Sequence, residues 1–364
     1  MPLRFGLVGL PNAGKTTLFN ALTAAGAPVA NYPFTTIDRH VGAAPIPSPG
    51  LEAVAKAVKP GRVTFASLEV VDIAGLVAGA SRGEGLGNQF LGHIREVDAV
   101  LHVLRCFDDP AVSHVAGTVD PARDAAVVDT ELGLADLEAL RRRRERIAPH
   151  LKSGERAYRE EAAALDRLAA IVDRGQMLRS APLGPEERRV AADLALLTAK
   201  PVLFVANVAD AAPPPQDPHL LAAAAVARSA GAPLVVIAAR LEAEILELDP
   251  AERAEFATGL GLGERGSDRL LAAARALLGL ITFFTANESE ARAWIIPRAT
   301  RAPAAAGRVH SDMERGFIAA EVVAVPDLAR AGSIAGARER GWLRLEGRDY
   351  EVQDGDLVYF RFNV

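Results

Sequence analysis

The pattern that most constrains the fold lies at the start of the chain, where a strand, a glycine-rich loop and a helix follow one another. Residues 4–9 (RFGLVG) form a short apolar run, residues 9–16 (GLPNAGKT) match the pattern G-x-x-x-x-G-K-[ST], and residues 17–22 (TLFNAL) favour a helix. This order predicts a phosphate-binding loop, because its glycines let the backbone curl until several N–H groups point at phosphate oxygens. A nucleoside triphosphate is therefore the expected ligand.

The side chains of this loop have separate predicted roles. Lys15 is expected to reach the β- and γ-phosphates, and the Thr16 hydroxyl is expected to ligate Mg²⁺. The residues predicted to contact the nucleotide here are Asn12, Ala13, Gly14, Lys15, Thr16 and Thr17.

Two later segments predict the γ-phosphate side of the site. In Asn31-Tyr-Pro-Phe-Thr-Thr36, Thr36 is placed to close over Mg²⁺ and the γ-phosphate, as switch threonines do. Asp72-Ile-Ala-Gly75 ends an apolar run, so Asp72 is expected to hold a Mg²⁺-bound water and the Gly75 N–H to contact the γ-phosphate. The predicted metal-binding residues are thus Thr16, Thr36 and Asp72.

The residue after Gly75 predicts slow hydrolysis. Many switch GTPases have a glutamine there to orient the attacking water, but this chain has Leu76, which has no hydrogen-bonding group. Turnover is expected near the roughly 10⁻⁴–10⁻² s⁻¹ of unassisted switch proteins. His114 is a candidate for orienting the water, with an ordinary loop histidine as the alternative. The predicted catalytic set is Lys15, Thr36, Gly75 and His114.

Base recognition is predicted at Asn207-Val208-Ala209-Asp210, which follows an apolar run. Many GTPases have Asn-Lys-x-Asp at this point, and the aspartate binds guanine. The lysine is missing here, whereas Asp210 is the residue type that suits guanine and not adenine. This motif therefore leaves the choice between ATP and GTP open.

The wider pattern predicts an α/β fold. Apolar runs at 68–72, 99–104, 201–206 and 234–237 alternate with helical patterns, which indicates a parallel sheet with helices on both faces. Helical spacing without strands over 130–198 predicts an inserted helical hairpin, with Pro149 ending its first helix. Short alternating strands after 279 predict a small, mostly β domain. The basic run Arg141–Arg144 is either a solvated helix face or a contact for RNA or an acidic partner.

Composition excludes several classes of protein. The net charge is −5, so any contact with nucleic acid must come from a local patch. The single cysteine, Cys106, excludes an internal disulfide and fits a reducing cytosol. The seven histidines show no metal-ligand spacing. Residues 2–9 are too short for a signal peptide, and no apolar run is long enough to span a membrane, so a cytoplasmic protein is expected.

At these motifs the chain resembles the YchF family of Obg-like ATPases. The loop from Gly9 to Thr23, the segment from Asp72 through the glycine-rich stretch 79–91, and Arg105-Cys-Phe-Asp with His114-Val-Ala-Gly are similar to that family. Phe283-Phe-Thr-Ala-Asn-Glu and His310-Ser-Asp-Met-Glu-Arg-Gly-Phe-Ile resemble its TGS domain.

The resemblance implies a three-part protein. Its parts are a P-loop nucleotide domain (1–129 and 199–278), a helical hairpin (130–198) and a TGS domain (279–364). It also implies an ATPase that tolerates GTP and associates with the ribosome (the large subunit) or rRNA through the TGS and helical regions. Independently of the resemblance, the sequence leaves the oligomeric state open, and a monomer is favoured. The residues implied around the base are Asn207, Val208, Asp210, Ala238, Ala239 and Arg240.

Some residues depart from the family pattern. Thr35 stands where a cysteine is common, Asp210 where a glutamate is usual, and Ala238-Ala239 where Ser-Ala is usual. His114 matches a histidine on which hydrolysis in the family is thought to rely. Three hypotheses therefore stand: a slow ATPase switch on the ribosome, a GTPase of the same architecture, and a nucleotide-gated binding module in which hydrolysis is incidental.

Overall fold

The computed structural model describes residues 3–23, 41–73, 86–153, 155–249, 252 and 265–363. The strands are β1 (Arg4–Val8), β2 (Val41–Pro45), β3 (Arg62–Thr64), β4 (Ser67–Asp72), β5 (Ala99–Arg105), β6 (Val202–Asn207), β7 (Leu234–Ile237), β8 (Leu280–Ala286), β9 (Glu290–Pro297), β10 (Phe317–Ala324), β11 (Arg344–Glu346) and β12 (Asp356–Phe362). The helices are α1 (Lys15–Thr23), α2 (Pro49–Val58), α3 (Leu86–Arg95), α4 (Pro121–Ile147), α5 (Arg156–Asp173), α6 (Pro185–Asp193), α7 (Pro218–Ser229), α8 (Ala239–Glu247), α9 (Gly266–Leu277), α10 (Ala302–Val309), α11 (Ser311–Arg315), α12 (Val325–Ala331) and α13 (Ile334–Glu339). They form two compact units, residues 1–44 with 68–273 and residues 45–67 with 274–364.

The first unit is built on a six-stranded sheet with the order β2-β4-β1-β5-β6-β7. From β4 to β7, each neighbouring pair in that order is parallel. Every residue of β5 and β6 is buried, which explains why both strands are mostly apolar, because central strands of a parallel sheet are covered on both faces. The predicted parallel sheet is confirmed, and its carboxyl ends lie along one edge, where ligands of such sheets bind.

Helix α4 links this sheet to the helical hairpin. It begins at Pro121, well before the predicted start at 130, because the Asp120 carboxylate accepts hydrogen bonds from the next two free N–H groups. A cap of this kind contributes about 1 kcal/mol. Val128 packs in the sheet core, whereas Leu140 packs against α5. The helix ends at Ile147, just before Pro149. Since one helix belongs to both cores, the hairpin is not a separate compact unit.

The basic run on α4 is neutralised within the hairpin. Each of the four arginines has an acidic partner on α4 or α5: Arg141 with Glu145 at 2.7 Å, Arg142 with Glu138, Arg143 with Glu161 at 2.6 Å, and Arg144 with Asp166 at 3.0 Å. These pairs favour the solvated helix face over a contact for nucleic acid, because their charge is already balanced.

The second unit contains a mixed sheet with the order β11-β10-β12-β8-β9-β3. The pairs β10/β11, β10/β12 and β8/β9 are antiparallel, and β12/β8 and β3/β9 are parallel. The strands predicted after 279 are all present, so the mostly β region is confirmed.

Residues 45–67 are a correction to the predicted domain boundaries. The sequence placed them in the nucleotide domain, but they belong to the second unit. Leu51 and Val54 of α2 are buried in a cluster with Phe284 and Leu357, and β3 pairs with β9. Local patterns cannot reveal this pairing, because its partners lie more than two hundred residues apart, as in the Arg62↔Glu290 register.

The structure bears on two expectations from composition, one about membrane-spanning helices and one about Cys106. Within the described residues, no helix combines the length and the apolar character needed to cross a membrane. Cys106 is only 3% exposed, and burial raises the pKa of its thiol to about 12. The thiol is therefore protonated and unreactive at neutral pH.

Candidate nucleotide-binding site

The phosphate loop (residues 9–16) connects β1 to α1 in a conformation that requires glycine at two positions. A Cβ on Gly9 would lie 2.5 Å from the Val103 carbonyl oxygen, and a Cβ on Gly14 would lie 2.1 Å from the Asn207 amide nitrogen. Gly14 also has a φ of +93°, which side-chain-bearing residues rarely adopt. The loop is thus packed against β5 on one side and against the end of β6 on the other.

Lys15 is held inside this loop. Its side chain is buried, and its Nζ donates hydrogen bonds to the carbonyl oxygens of Gly9 at 3.1 Å and Leu10 at 2.9 Å. Burial lowers the pKa of this amine to about 8, although the nearby Asp72 carboxylate acts in the opposite direction. The ammonium is therefore charged at neutral pH, and an anionic ligand would stabilise that charge.

Thr16 and Asp72 bring two oxygen donors together. The Thr16 Oγ1 donates a hydrogen bond to Asp72 Oδ2 at 2.8 Å, which joins the start of α1 to the end of β4. A hydroxyl and a carboxylate are the hard oxygen ligands that Mg²⁺ prefers, and a site with so few protein ligands is typical when nucleotide phosphates supply the others. These residues fit the implied metal. Thr36 and Gly75, the other predicted residues on this side, lie outside the described residues.

Asn207 ties the phosphate loop to α8. Its Nδ2 donates to the Ala13 carbonyl oxygen at 2.9 Å, and its Oδ1 accepts from the Ala239 N–H at 3.1 Å. Both the nitrogen and the oxygen of this amide thus bond to protein atoms, and the contact with the base stays a prediction. Asn207 shapes the site by fixing Ala13 of the phosphate loop and Ala239 at the start of α8.

A cavity of about 440 Å³ lies over the phosphate loop. Among the predicted residues, its lining includes Asn12, Gly14, Lys15, Thr16, Thr17, Asn207, Val208 and Arg240. Ala13, Ala238 and Ala239 are buried behind this surface, and Asp210 is exposed to solvent outside the lining. The predicted residues at the ends of β1 and β6 and at the start of α8 thus meet at one cavity.

Sequence reasoning missed one wall of this cavity. Phe107, Asp108, Asp109 and Val112 line it, and all belong to the β5 loop, which we define as residues 106–114. The available signal was position alone, because this loop follows the carboxyl end of a strand next to β1.

His114 closes the β5 loop, and both of its ring nitrogens have protein partners. Its Nδ1 accepts a hydrogen bond from the Ala116 N–H at 3.1 Å, and its Nε2 lies 2.9 Å from Asp124 Oδ2. The Ala116 contact places the proton of a neutral ring on Nε2, which donates to Asp124. The side chain is only 4% exposed and is not part of the cavity lining, and its role in orienting a water stays a prediction.

The fold and the site together define the class. A parallel sheet with a glycine-rich phosphate loop after β1, a buried lysine in that loop, and a hydroxyl–carboxylate pair beside it make this chain a P-loop nucleotide-binding protein.

Comparisons with known proteins narrow the class to a family. A model named for the YchF GTPase C-terminal region, described as "Protein of unknown function (DUF933)", matches residues 280–363, and a "50S ribosome-binding GTPase" model matches residues 4–128. Proteins named "Ribosome-binding ATPase YchF" are similar over the full length of both chains, at 46% identity in Pasteurella multocida and 45% in Bacillus subtilis. The solved structure of the Schizosaccharomyces pombe YchF GTPase is 32% identical, with a TM-score of 0.85 over 99% of this chain and 98% of that one. The chain belongs to the YchF family.

Proposed function

We propose that this protein is a Mg²⁺-dependent nucleoside triphosphatase that prefers ATP to GTP and acts as a slow conformational switch on the ribosome. The observation that carries the proposal is the buried Lys15 in the cavity lining, next to Thr16, whose hydroxyl donates a hydrogen bond to Asp72. A bound Mg²⁺ would neutralise charge on the phosphate oxygens. The protein supplies the inward-facing loop backbone and the lysine, which hold the triphosphate.

The environment of the base supports the preference for ATP. Guanine-selective sites direct an aspartate at the base, whereas Asp210 is exposed to solvent and lies outside the cavity lining. Val208 and Ala209 line the cavity instead, and neither side chain can hydrogen-bond to a base. Such a surface imposes little selection for guanine.

Competition between ATP and GTP for a fluorescent nucleotide analogue tests this preference. We expect ATP to displace the analogue at a lower concentration than GTP. The control is Asp210→Ala, which is expected to leave both affinities unchanged because Asp210 does not line the cavity. A wild-type affinity for GTP about tenfold tighter than for ATP, near 1.4 kcal/mol, would contradict the preference.

Slow hydrolysis is supported by two residues, Leu76 and His114. Leu76 cannot orient a water, and His114 is engaged with Asp124 and Ala116. The same engagement favours the second candidate function, a nucleotide-gated binding module in which hydrolysis is incidental.

The proposed partner is the ribosome. Relatives of the same length are named for ribosome binding, and the large subunit is the partner that the name of the N-terminal family model suggests. In the second unit, Arg292 lies 4.3 Å over the Trp294 ring, a partly buried pair that offers a base-stacking surface for rRNA. Because α4 has its arginines neutralised, the C-terminal region is the better candidate contact.

Lys15 makes nucleotide affinity dependent on pH. The pKa of about 8 in the free protein rises when a polyphosphate lies against the amine, so binding above pH 8 takes up a proton. We expect affinity to fall about tenfold per pH unit above pH 8 and to stay level below pH 7. The measurement is titration calorimetry at pH 7, 8 and 9 in buffers of different ionisation enthalpy. An unchanged affinity across this range, without proton uptake, would exclude a depressed lysine pKa.

A further inference from the structure

Arg105, the last residue of β5, is a buried arginine whose side-chain hydrogen bonds all go to the β5 loop. Its side chain donates to four carbonyl oxygens: from Nε to Phe107 at 3.1 Å, from Nη1 to Ser113 at 3.3 Å, and from Nη2 to Val112 at 3.0 Å and Asp109 at 3.5 Å. The residue is only 3% exposed, and in the described part of the chain none of these donors pairs with a carboxylate. A buried guanidinium is tolerated only when hydrogen bonds replace its hydration, so its placement and the shape of this loop depend on each other.

Arg105 binds the β5 loop, which forms the wall of the cavity that the sequence did not predict. Phe107, Asp109 and Val112 give their carbonyl oxygens to Arg105 and also line the cavity. The guanidinium carbon also lies 4.7 Å over the Phe107 ring, so the aromatic side chain is fixed by a cation–π contact. Without Arg105 the carbonyls would turn elsewhere, and the cavity would lose a defined side.

Arg105 also connects this wall to the phosphate loop. The Ser113 carbonyl oxygen accepts hydrogen bonds from Arg105 and, at 3.0 Å, from the Asn12 amide. Asn12 has a φ of +62° within the phosphate loop, so its backbone conformation is strained and its side-chain bond helps to hold it. A displacement of the β5 loop would therefore reach the residues around the phosphates.

We infer that Arg105 is the positioning residue of the nucleotide site: it fixes the β5 loop so that one wall of the cavity and the phosphate loop are set together. This inference rests on the proposed function, because the consequence of losing Arg105 is weaker nucleotide binding. Arg105 is not among the residues that line the cavity and acts through Phe107, Val112 and Ser113.

The test compares Arg105→Gln and Arg105→Lys with the wild-type protein. We expect Arg105→Gln to raise the Kd for a fluorescent ATP analogue at least about tenfold, and Arg105→Lys to be intermediate, since one ammonium group cannot span four carbonyls. Hydrogen exchange of the amides in residues 106–114 is expected to accelerate in both variants. Steady-state kinetics is expected to show a larger rise in KM than fall in kcat, because the residue shapes a binding surface.

Arg179→Gln is the matched control. Arg179 is an arginine whose side chain is only 9% exposed; it pairs with Asp129 at 2.9 Å and does not line the cavity. We expect Arg179→Gln to lower the melting temperature but to leave the Kd and the exchange of the β5 loop unchanged.

Two outcomes separate the possible failures. If Arg105→Gln or Arg105→Lys is destabilised but retains wild-type Kd and KM, Arg105 only supports the fold and the inference is wrong. If the wild-type protein binds no nucleotide, the proposed function itself fails. Should Arg105→Gln not fold, the Kd and loop exchange of Arg105→Lys decide the question.

Discussion

Replacing Lys15 with alanine is expected to weaken nucleotide binding by about a hundredfold or more, because it removes the buried positive charge that faces the triphosphate. The Nζ now lies within hydrogen-bonding distance of the Gly9 and Leu10 carbonyl oxygens, at the centre of the phosphate loop. Truncation to alanine removes the ammonium group that these two carbonyl oxygens and the phosphates would share. The measurement is the Kd for a fluorescent ATP analogue in the presence of Mg²⁺.

Lys200→Ala provides the matched control. Lys200 is a second partly buried lysine that donates to two backbone carbonyl oxygens, those of Arg95 at 3.0 Å and Val97 at 2.6 Å. Burial lowers its pKa too, but it does not line the cavity. We expect Lys200→Ala to cost about 1–3 kcal/mol of stability and to leave nucleotide affinity unchanged. Equal loss of affinity in both variants would mean that Lys15 acts through stability and not through the ligand.

The same Lys15 variant separates the two candidate functions. A switch that needs nucleotide to bind the ribosome should lose co-sedimentation with ribosomes when Lys15 is replaced. A binding module in which hydrolysis is incidental and the C-terminal region carries the contact should retain it in full. For either function, contact with rRNA predicts that binding by the wild-type protein falls steeply as salt increases.

The sequence predicted the phosphate side of the site because its geometry follows from local rules. The spacing of the loop residues places Lys15 and Thr16 at the start of α1, and Asp72 ends a strand next to β1 in a parallel sheet. Neighbouring strand ends meet at one edge, so the Thr16–Asp72 contact needed no further information. The four strands predicted in this sheet beyond β1 were identified from their apolar runs, of which those of β5 and β6 are buried throughout.

The β5 wall of the cavity and the partners of Asn207 and His114 could not be predicted in this way, because most of these contacts are made with backbone atoms. Arg105 binds carbonyl oxygens that any residue would supply, so nothing in the sequence of the β5 loop marks it as a cavity wall. Asn207 similarly bonds to the backbone of Ala13 and Ala239, and a base motif does not reveal such a commitment. The pairing of His114 with Asp124 depends on where α4 begins, and that start was predicted too late.

Gly14→Ala is the second substitution with a large expected effect, because two independent constraints meet at this residue. The positive φ costs a side-chain-bearing residue about 1–2 kcal/mol, and the new Cβ would lie 2.1 Å from the Asn207 Nδ2. Relief of that clash requires the Asn207 amide to leave the Ala13 carbonyl oxygen and the Ala239 N–H. Since a displacement of about 1 Å in a positioned site can cost about a hundredfold, we expect an effect of that size on the Kd for ATP.

Gly231→Ala is the control for the cost of placing a side chain on a residue with a positive φ. Gly231 has a φ of +60°, but no heavy atom outside its neighbours lies within 4 Å of an added Cβ. We expect this variant to lose about 1 kcal/mol of stability and no nucleotide affinity. Comparable losses of affinity in Gly14→Ala and Gly231→Ala would assign the effect to general destabilisation.

A double-mutant cycle of Gly14→Ala and Asn207→Ala then isolates the loss of affinity that the steric clash between these two residues causes. If the contact with Asn207 causes most of the loss, Gly14→Ala should cost much less affinity in an Asn207→Ala background than in the wild-type protein. Additive losses would show that the left-handed backbone of Gly14 alone determines the shape of the phosphate loop. In that case the link from Asn207 to α8 would support the base side of the cavity independently of the phosphates, and the two halves of the site could be altered separately.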